Sequence, residues 1–305
     1  MDYEVVFGQM LVIVILVCVG IGLYRKKYID KAMSEKLSAI VIKVCNPMLC
    51  LTSGLAAEGQ AGHKEIATAF VIAILVYAFL LISGFVIPKL CGLPRDRQKF
   101  YNLMLVYGNI GFIGIPVAKV VLPEEAMIYV VILNIMFSFV FYTHGVFVMG
   151  AKGGFKFKLS PGLVCSILTI VLFWFNLKLP DILTQSANYL GNATTFLSMT
   201  ILGCSFAMVS VKILLASWKT YLFVLIKMLA IPILKAVILV AVGVKKEIVQ
   251  AYVLLSAMPS ANMPLMLAQQ VGEDTRVLTQ GILLTTIFTP VTLTVVSIVL
   301  SALGC

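Results

Sequence analysis

Acidic side chains are scarce in this sequence, and their placement excludes more than their number does. Aspartate and glutamate together make 13 of 305 residues, and none falls near the middle of an apolar run. The nearest, such as Glu4, Glu65, Glu124 and Glu247, stand at run ends. Metal-cation carriers and proton antiporters ordinarily need a membrane-embedded carboxylate to hold the ion or proton, so that class is set aside. Sodium, too, would lack a charged ligand, although backbone carbonyls at helix breaks could serve it. Histidine occurs twice, as His63 and His144. With no H-E-x-x-H helix, no Ser–His pair and no paired central aspartates, an intramembrane enzyme has nothing to be built from. The seven cysteines lack metal-ligand spacing and read as small apolar side chains of a helical core. No metal or other cofactor is expected.

Charge of either sign is low, at 12% of residues, while 61% are hydrophobic. A soluble domain is nearer half apolar and a quarter charged, so the surplus apolar surface must face something other than water. Polar residues gather in short clusters between apolar stretches of roughly 20 residues, the length that crosses a bilayer core. No stretch reads as a separate soluble domain, which counts against a membrane sensor. The expected fold is an all-α polytopic membrane protein with ten spans, at 4–23, 33–56, 65–90, 98–121, 124–149, 160–177, 183–210, 218–243, 248–271 and 276–303.

The net charge of +10 would suit a nucleic-acid partner if it were clustered, but it is spread over short loops, and none is expected. Asp2 and Glu4 precede the first apolar run and Arg25, Lys26 and Lys27 follow it. A secretory signal has the opposite order, so this run reads as a retained helix with its N-terminus outside. On that map the cytoplasmic loops hold 15 of the 23 basic residues, and the external loops hold only Lys64, Lys178, Lys245 and Lys246. The positive-inside rule asks for such a bias. Both termini then lie outside the cell membrane.

Two segments break the helical pattern. Tyr107-Gly-Asn-Ile-Gly-Phe-Ile-Gly-Ile-Pro116 puts three glycines and a proline into the fourth span, and Met258-Pro-Ser-Ala-Asn-Met-Pro264 puts two prolines into the ninth. Neither can continue as a regular helix. A freed backbone group in lipid costs several kcal/mol unless protein or water satisfies it, so such breaks belong in the interior. Half-helix N-termini there suit a carboxylate. Pro47 is expected to break the second span, and Phe196 of the seventh stands 149 residues later; Pro116 and Pro264 stand 148 apart. One shared offset suggests two five-helix repeats, 1–150 and 151–305. Five is odd, so the second repeat enters the membrane inverted, as in many secondary transporters. A channel could also use broken helices, but a midplane site between inverted repeats fits alternating access better.

These motifs carry a resemblance. Gly108-Asn109…Gly114-Ile115-Pro116 and Met258-Pro259…Pro264 resemble the auxin efflux carrier family, which includes plant auxin exporters and bacterial malate or malonate permease-like proteins and has the bile acid and auxin carrier type of fold. Gly22, Tyr24 and Arg25, Asn46-Pro47, Leu159-Ser160-Pro161 and the stretch Thr194–Met199 with Gly203 extend the likeness over nearly the whole chain. Phe196 stands where the family usually has proline, which weakens the break expected in the seventh helix. The resemblance implies a scaffold domain from helices 1, 2, 6 and 7, and a transport domain from helices 3–5 and 8–10. It further implies crossing of helices 4 and 9 at the prolines, elevator-like alternating access and a homodimer.

The family motif carries a substrate-contacting asparagine onto Asn109, with Pro116 and Pro259 at the crossing. Asn262 is assigned from position and chemistry alone. The candidate substrate site is Gly108, Asn109, Ile110, Gly111, Pro116, Pro259, Ser260, Asn262 and Pro264, joined by Asn134 of the fifth span, for which an interhelical hydrogen bond is the other role. Lys43, Lys227 and Lys235 are candidates for a positive field along the pathway, against the simpler reading that they snorkel. Malate, malonate or an aromatic acid are the substrates the family implies. The candidate site contains no arginine to clamp a second carboxylate, so a monocarboxylate fits as well as a dicarboxylate.

Overall fold

The computed structural model describes residues 3–56, 62–150, 161–175, 177–208 and 218–305. The expected junction between the halves and the loop residues Lys152, Lys156, Lys158 and Lys212 lie outside the described residues.

The elements are helical. They are α1 (Tyr3–Arg25), α2 (31–56), α3 (His63–Leu90), α4 (Gln98–Val106), α5 (110–121), α6 (Glu124–Val148), α7 (Pro161–Phe175), α8 (Asp181–Ala207), α9 (Trp218–Ala241), α10 (Lys246–Ser256), α11 (Met263–Gln270) and α12 (Arg276–Ala302). Among the described residues, α3, α6, α9 and α12 are each long and apolar enough to cross a bilayer. Large apolar side chains stand exposed along α1 (Leu11, Ile15), α3 (Leu75, Ile82) and α12 (Val291, Ile298). Contiguous exposed apolar surface of this extent marks a chain that faces hydrocarbon. The protein is a multi-pass membrane protein.

Local chemistry sets the helix ends. Asp30 opens α2 by accepting the Met33 amide at 2.7 Å, and Pro180 directly precedes α8. Pro47 does not interrupt α2, contrary to the expected break. The chain passes through a π-turn, Val41–Cys45, in which the Asn46 amide reaches back to the Val41 carbonyl, and the helix then continues. With phenylalanine at 196, α8 runs unbroken from Asp181 to Ala207.

The helices pack as two groups around α6. In the first, α1 lies along α8, and α8 and α7 lie against the second half of α2. Glycines bring these backbones together, as small residues do in membrane bundles. A Cβ on Gly20 would come within 2.9 Å of the Thr200 Cα, and one on Gly191 within 3.0 Å of the Leu49 Cα. In the second group α3 packs on α4 and α6, α9 on α10, and α12 on α4. Tyr252 ties α10 to α3 through the Ala69 carbonyl (2.9 Å), and Tyr101 ties α4 to α9 through Thr220 (3.0 Å). The most apolar stretch of α6 is 83% buried, against 39–44% for the other three long helices, so α6 is the central one.

Candidate functional site

Four half-helix ends meet at the centre of the second group. α4 stops at Val106, and Tyr107, Gly108 and Asn109 leave helical geometry before α5 begins. α10 stops at Ser256, and the chain re-enters a helix only at Met263. The two interruptions run antiparallel across each other. Gly108 pairs with Ser260, the Asn109 amide donates to the Pro259 carbonyl at 2.7 Å, and the Ala261 amide donates to the Tyr107 carbonyl at 2.9 Å. Backbone groups freed by one break are therefore satisfied by the other, which is what an apolar interior demands. Gly108 allows this close approach: a Cβ there would sit 3.2 Å from the Leu255 carbonyl oxygen and push the two breaks apart by a few tenths of an ångström.

Side chains brace the crossing from three sides. Ser260 donates to the Met104 carbonyl (3.1 Å), and its amide donates to the Thr285 hydroxyl (3.1 Å), which holds the crossing to α4 and α12. Tyr107 reaches the Val140 carbonyl and His144 on α6, at 3.1 and 2.9 Å. Thr285 and His144 were not assigned to the site from the sequence. The threonine repeat at 285, 289 and 292 was the available signal for the first.

Asn109 caps α5. Its Oδ1 accepts the Phe112 amide at 3.3 Å, and the residue is 3% exposed. Asn134 is buried on α6 behind Gly111, whose Cβ, if present, would lie 3.7 Å from the Asn134 Oδ1. Asn262 immediately precedes α11 and is 1% exposed, yet it makes no cap: among the described residues its Oδ1 accepts no hydrogen bond, and its Nδ2 meets the Met199 sulfur of α8, at 4.0 Å. A buried amide left in this way costs about 1–3 kcal/mol. It therefore stands ready for a polar partner where the crossing faces α8. Pro259 and Pro264 are buried at the crossing and in the first turn of α11. Pro116 lies in the Ile115–Val121 part of α5.

The lysines divide. Lys43 is exposed and does not join the site. Lys227 and Lys235 are 2% and 3% exposed, and they are the charged residues found buried among those described. Lys227 donates to the Met258 carbonyl at 2.9 Å, and Lys235 donates to the Ser256 hydroxyl. Both ammonium groups thus sit on the C-terminal end of α10, where the helix dipole is negative. A cavity of about 20 Å³ separates Lys227 from Gly108 and Ile110. On one face of the protein a much wider opening, about 950 Å³, is bordered by Gln269 and by charges of both signs, Lys31, Arg97 and Arg276 with Glu35, Glu273 and Asp274. Between that opening and the crossing, Gln269 bridges Ser38 (2.5 Å) and Ser205 (3.1 Å), joining α11 to the first helix group.

A buried crossing of broken helices, with amides and ammonium groups around it, is how membrane carriers present a site at mid-depth. The family model described as "Membrane transport protein" matches residues 5–161 and 154–297. The chain belongs to this family, that of the auxin efflux carriers. It is also similar to an uncharacterized transporter of Methanocaldococcus jannaschii, 26% identical over 291 residues that cover 91% of this chain and 94% of that one. The protein is a membrane transporter, and its family implies a small-molecule substrate. The paired breaks, the features that first suggested a transporter, are the elements that cross at the centre of this member.

Proposed function

We propose that the protein is a secondary active carrier of small organic anions such as malate, malonate or an auxin-like carboxylate. One observation supports the sign of the substrate: the crossing is bordered by two buried ammonium groups, Lys227 and Lys235, and no aspartate or glutamate is buried among the described residues. The α10 helix end compensates about half a charge, leaving net positive potential where two half-helix N-termini converge. An ammonium about 6 Å from a carboxylate contributes roughly 3 kcal/mol at an effective dielectric near 20, about a hundredfold in affinity. A metal cation would meet the same term with the opposite sign.

In this reading Asn109 and Asn262 present amide donors to the carboxylate, and Gly108, Ile110, Gly111 and Ser260 supply backbone approach. Pro259 lies in the break between α10 and α11, Pro264 opens α11, Pro116 stands beyond the other break within α5, and Asn134 completes the wall. Lys227 and Lys235 supply the field, and Lys43 is dropped. Ten spans form two inverted repeats, 1–150 and 151–305, with both termini outside the cell membrane. The first helix group is the scaffold and the second moves against it as an elevator, in a homodimer. The dense mutual packing of α1, α2, α7 and α8 supports that division, with α6 and α11 among the helices that touch both groups. The test is uptake of radiolabelled malate, malonate and indole-3-acetate into proteoliposomes. Saturable uptake, with affinity about tenfold weaker in Asn109→Ala and folding intact, is expected; uptake of none of the three under any ion gradient overturns the substrate class.

A further inference from the structure

Three sides of α8 carry three different chemistries. Ala187, Gly191, Thr194 and Ser198 are buried, and Gly191 meets Leu49, so this side packs on α2. Leu183, Leu190 and Leu197 recur every seven residues on a second side. Leu183 and Leu190 are 54% and 43% exposed, as a row facing hydrocarbon is. Gln185, Asn188, Asn192 and Thr195 follow one another at steps of three and four, and so share the third side. The first three are exposed and Thr195 is half-buried. The next member of that series is Met199, fully buried, whose sulfur meets the Asn262 amide at the crossing. The side of α8 that faces the crossing therefore continues, toward the helix N-terminus, as an uncovered row of amides.

Depth makes this row unusual. At 1.5 Å per residue Asn192 lies about 16 Å along the helix from Asp181, near the middle of a bilayer core. An amide turned to hydrocarbon at that depth finds no hydrogen-bond partner and is costly there. Met208, just past the other end of α8, borders the wide opening, so the row lies on the opposite face of the protein. We propose that Gln185, Asn188, Asn192 and Thr195 line a water-filled path from the outer surface to the crossing, along which the organic anion travels, with Met199 closing its inner end. The inference rests on the carrier reading above and adds the residues that serve the side away from the wide opening. Uncharged amides suit a path: their Nδ2 and Nε2 groups donate to a carboxylate but carry no charge that would hold it there. The exposed Asp181 begins the same row, and the positive N-terminal end of α8 offsets part of its charge. Methionine is a fitting closure, because its unbranched chain swings aside easily. Continuity of the row with the Met199–Asn262 contact favours a path over a face shared by two copies.

Thiol labelling of the full chain in proteoliposomes tests this without any transported acid. A charged, membrane-impermeant methanethiosulfonate reacts with thiolates in water and not with thiols in lipid. Asn188→Cys and Asn192→Cys are each compared by intact mass with the wild type, whose seven cysteines set the background. Leu190→Cys is the lipid-side control at the same depth. Both row variants are expected to react at least about tenfold faster than this control. Asn192→Leu is expected to keep its Tm within a few degrees of the wild type and to lower uptake of labelled malate or indole-3-acetate about fivefold or more. Row variants that react no faster than Leu190→Cys overturn the proposal and give the row to lipid. Oxidative cross-linking of Asn192→Cys between two copies overturns it too, and makes the row an interface. Were no acid taken up by the wild type, the substrate reading would fail while the labelling still decided the path.

Discussion

Replacing Asn109 by aspartate separates the two jobs assigned to that residue. As a cap, Asn109 needs only an acceptor, because its Oδ1 receives the Phe112 amide at 3.3 Å. A carboxylate accepts equally well, and the positive end of the helix dipole offsets part of the several kcal/mol that its burial costs at 3% exposure. Asn109→Asp is therefore expected to fold, with a Tm lowered by up to about 10 °C. As a substrate group the change is severe. A bound carboxylate roughly 5 Å away, at an effective dielectric near 20, would be repelled by about 3 kcal/mol, a loss of more than a hundredfold in affinity. Asn109→Ala should show a smaller loss of affinity, with about 1 kcal/mol lost from the cap and about tenfold from one missing hydrogen bond. Thermal unfolding of the purified protein gives the first quantity, and the concentration dependence of uptake gives the second. An Asn109→Asp protein that transports with wild-type affinity would refute the placement of the anion at this break. One that loses much more than about 10 °C would refute the cap.

Other expectations follow from the bracing. Ser260→Ala removes the donor to the Met104 carbonyl and should cost about 1 kcal/mol, read as a Tm shift of a few degrees. Gly281→Val places atoms where the Met104 side chain now lies, so it should destabilise by about 1–3 kcal/mol and lower transport through the Met104–Ser260 contact. Gln269→Leu breaks the bridge from Ser38 to Ser205. If that bridge exists in only one arrangement of the two helix groups, the maximal rate should change while the substrate KM stays within about twofold. Lys245→Ala removes an ion pair with Glu65 in which both side chains are about half exposed, and should alter stability by less than about 1 kcal/mol.

Much of this architecture can be read from the sequence because a bilayer imposes it. Apolar runs fix the helices, and the fourth expected segment, 98–121, has the same limits as α4 together with α5. Glycine and proline spacing locates both interruptions because those residues act through the backbone itself. What the breaks do to each other was not legible. The pairing of Gly108 with Ser260 joins residues about 150 positions apart, and nothing local encodes it. The direction of the lysines was hidden for a different reason: in helices apolar nearly all round, periodicity does not say which face turns inward. Lys43 and Lys227 look alike in sequence and stand on opposite sides of that distinction. Thr285 escaped notice because a threonine that bonds its own preceding turn, here the Gly281 carbonyl at 2.8 Å, is common in membrane helices.

The central claim is that the crossing of the two broken helices binds an organic anion and exposes it alternately to the two sides of the membrane. Counterflow tests it most directly: proteoliposomes loaded with unlabelled acid are diluted into a trace of the same acid carrying the label. A carrier must accumulate the label transiently above its equilibrium level, and Asn109→Asp must abolish the overshoot. Label that only equilibrates, without overshoot and without saturation, would mean an open path and contradict the account.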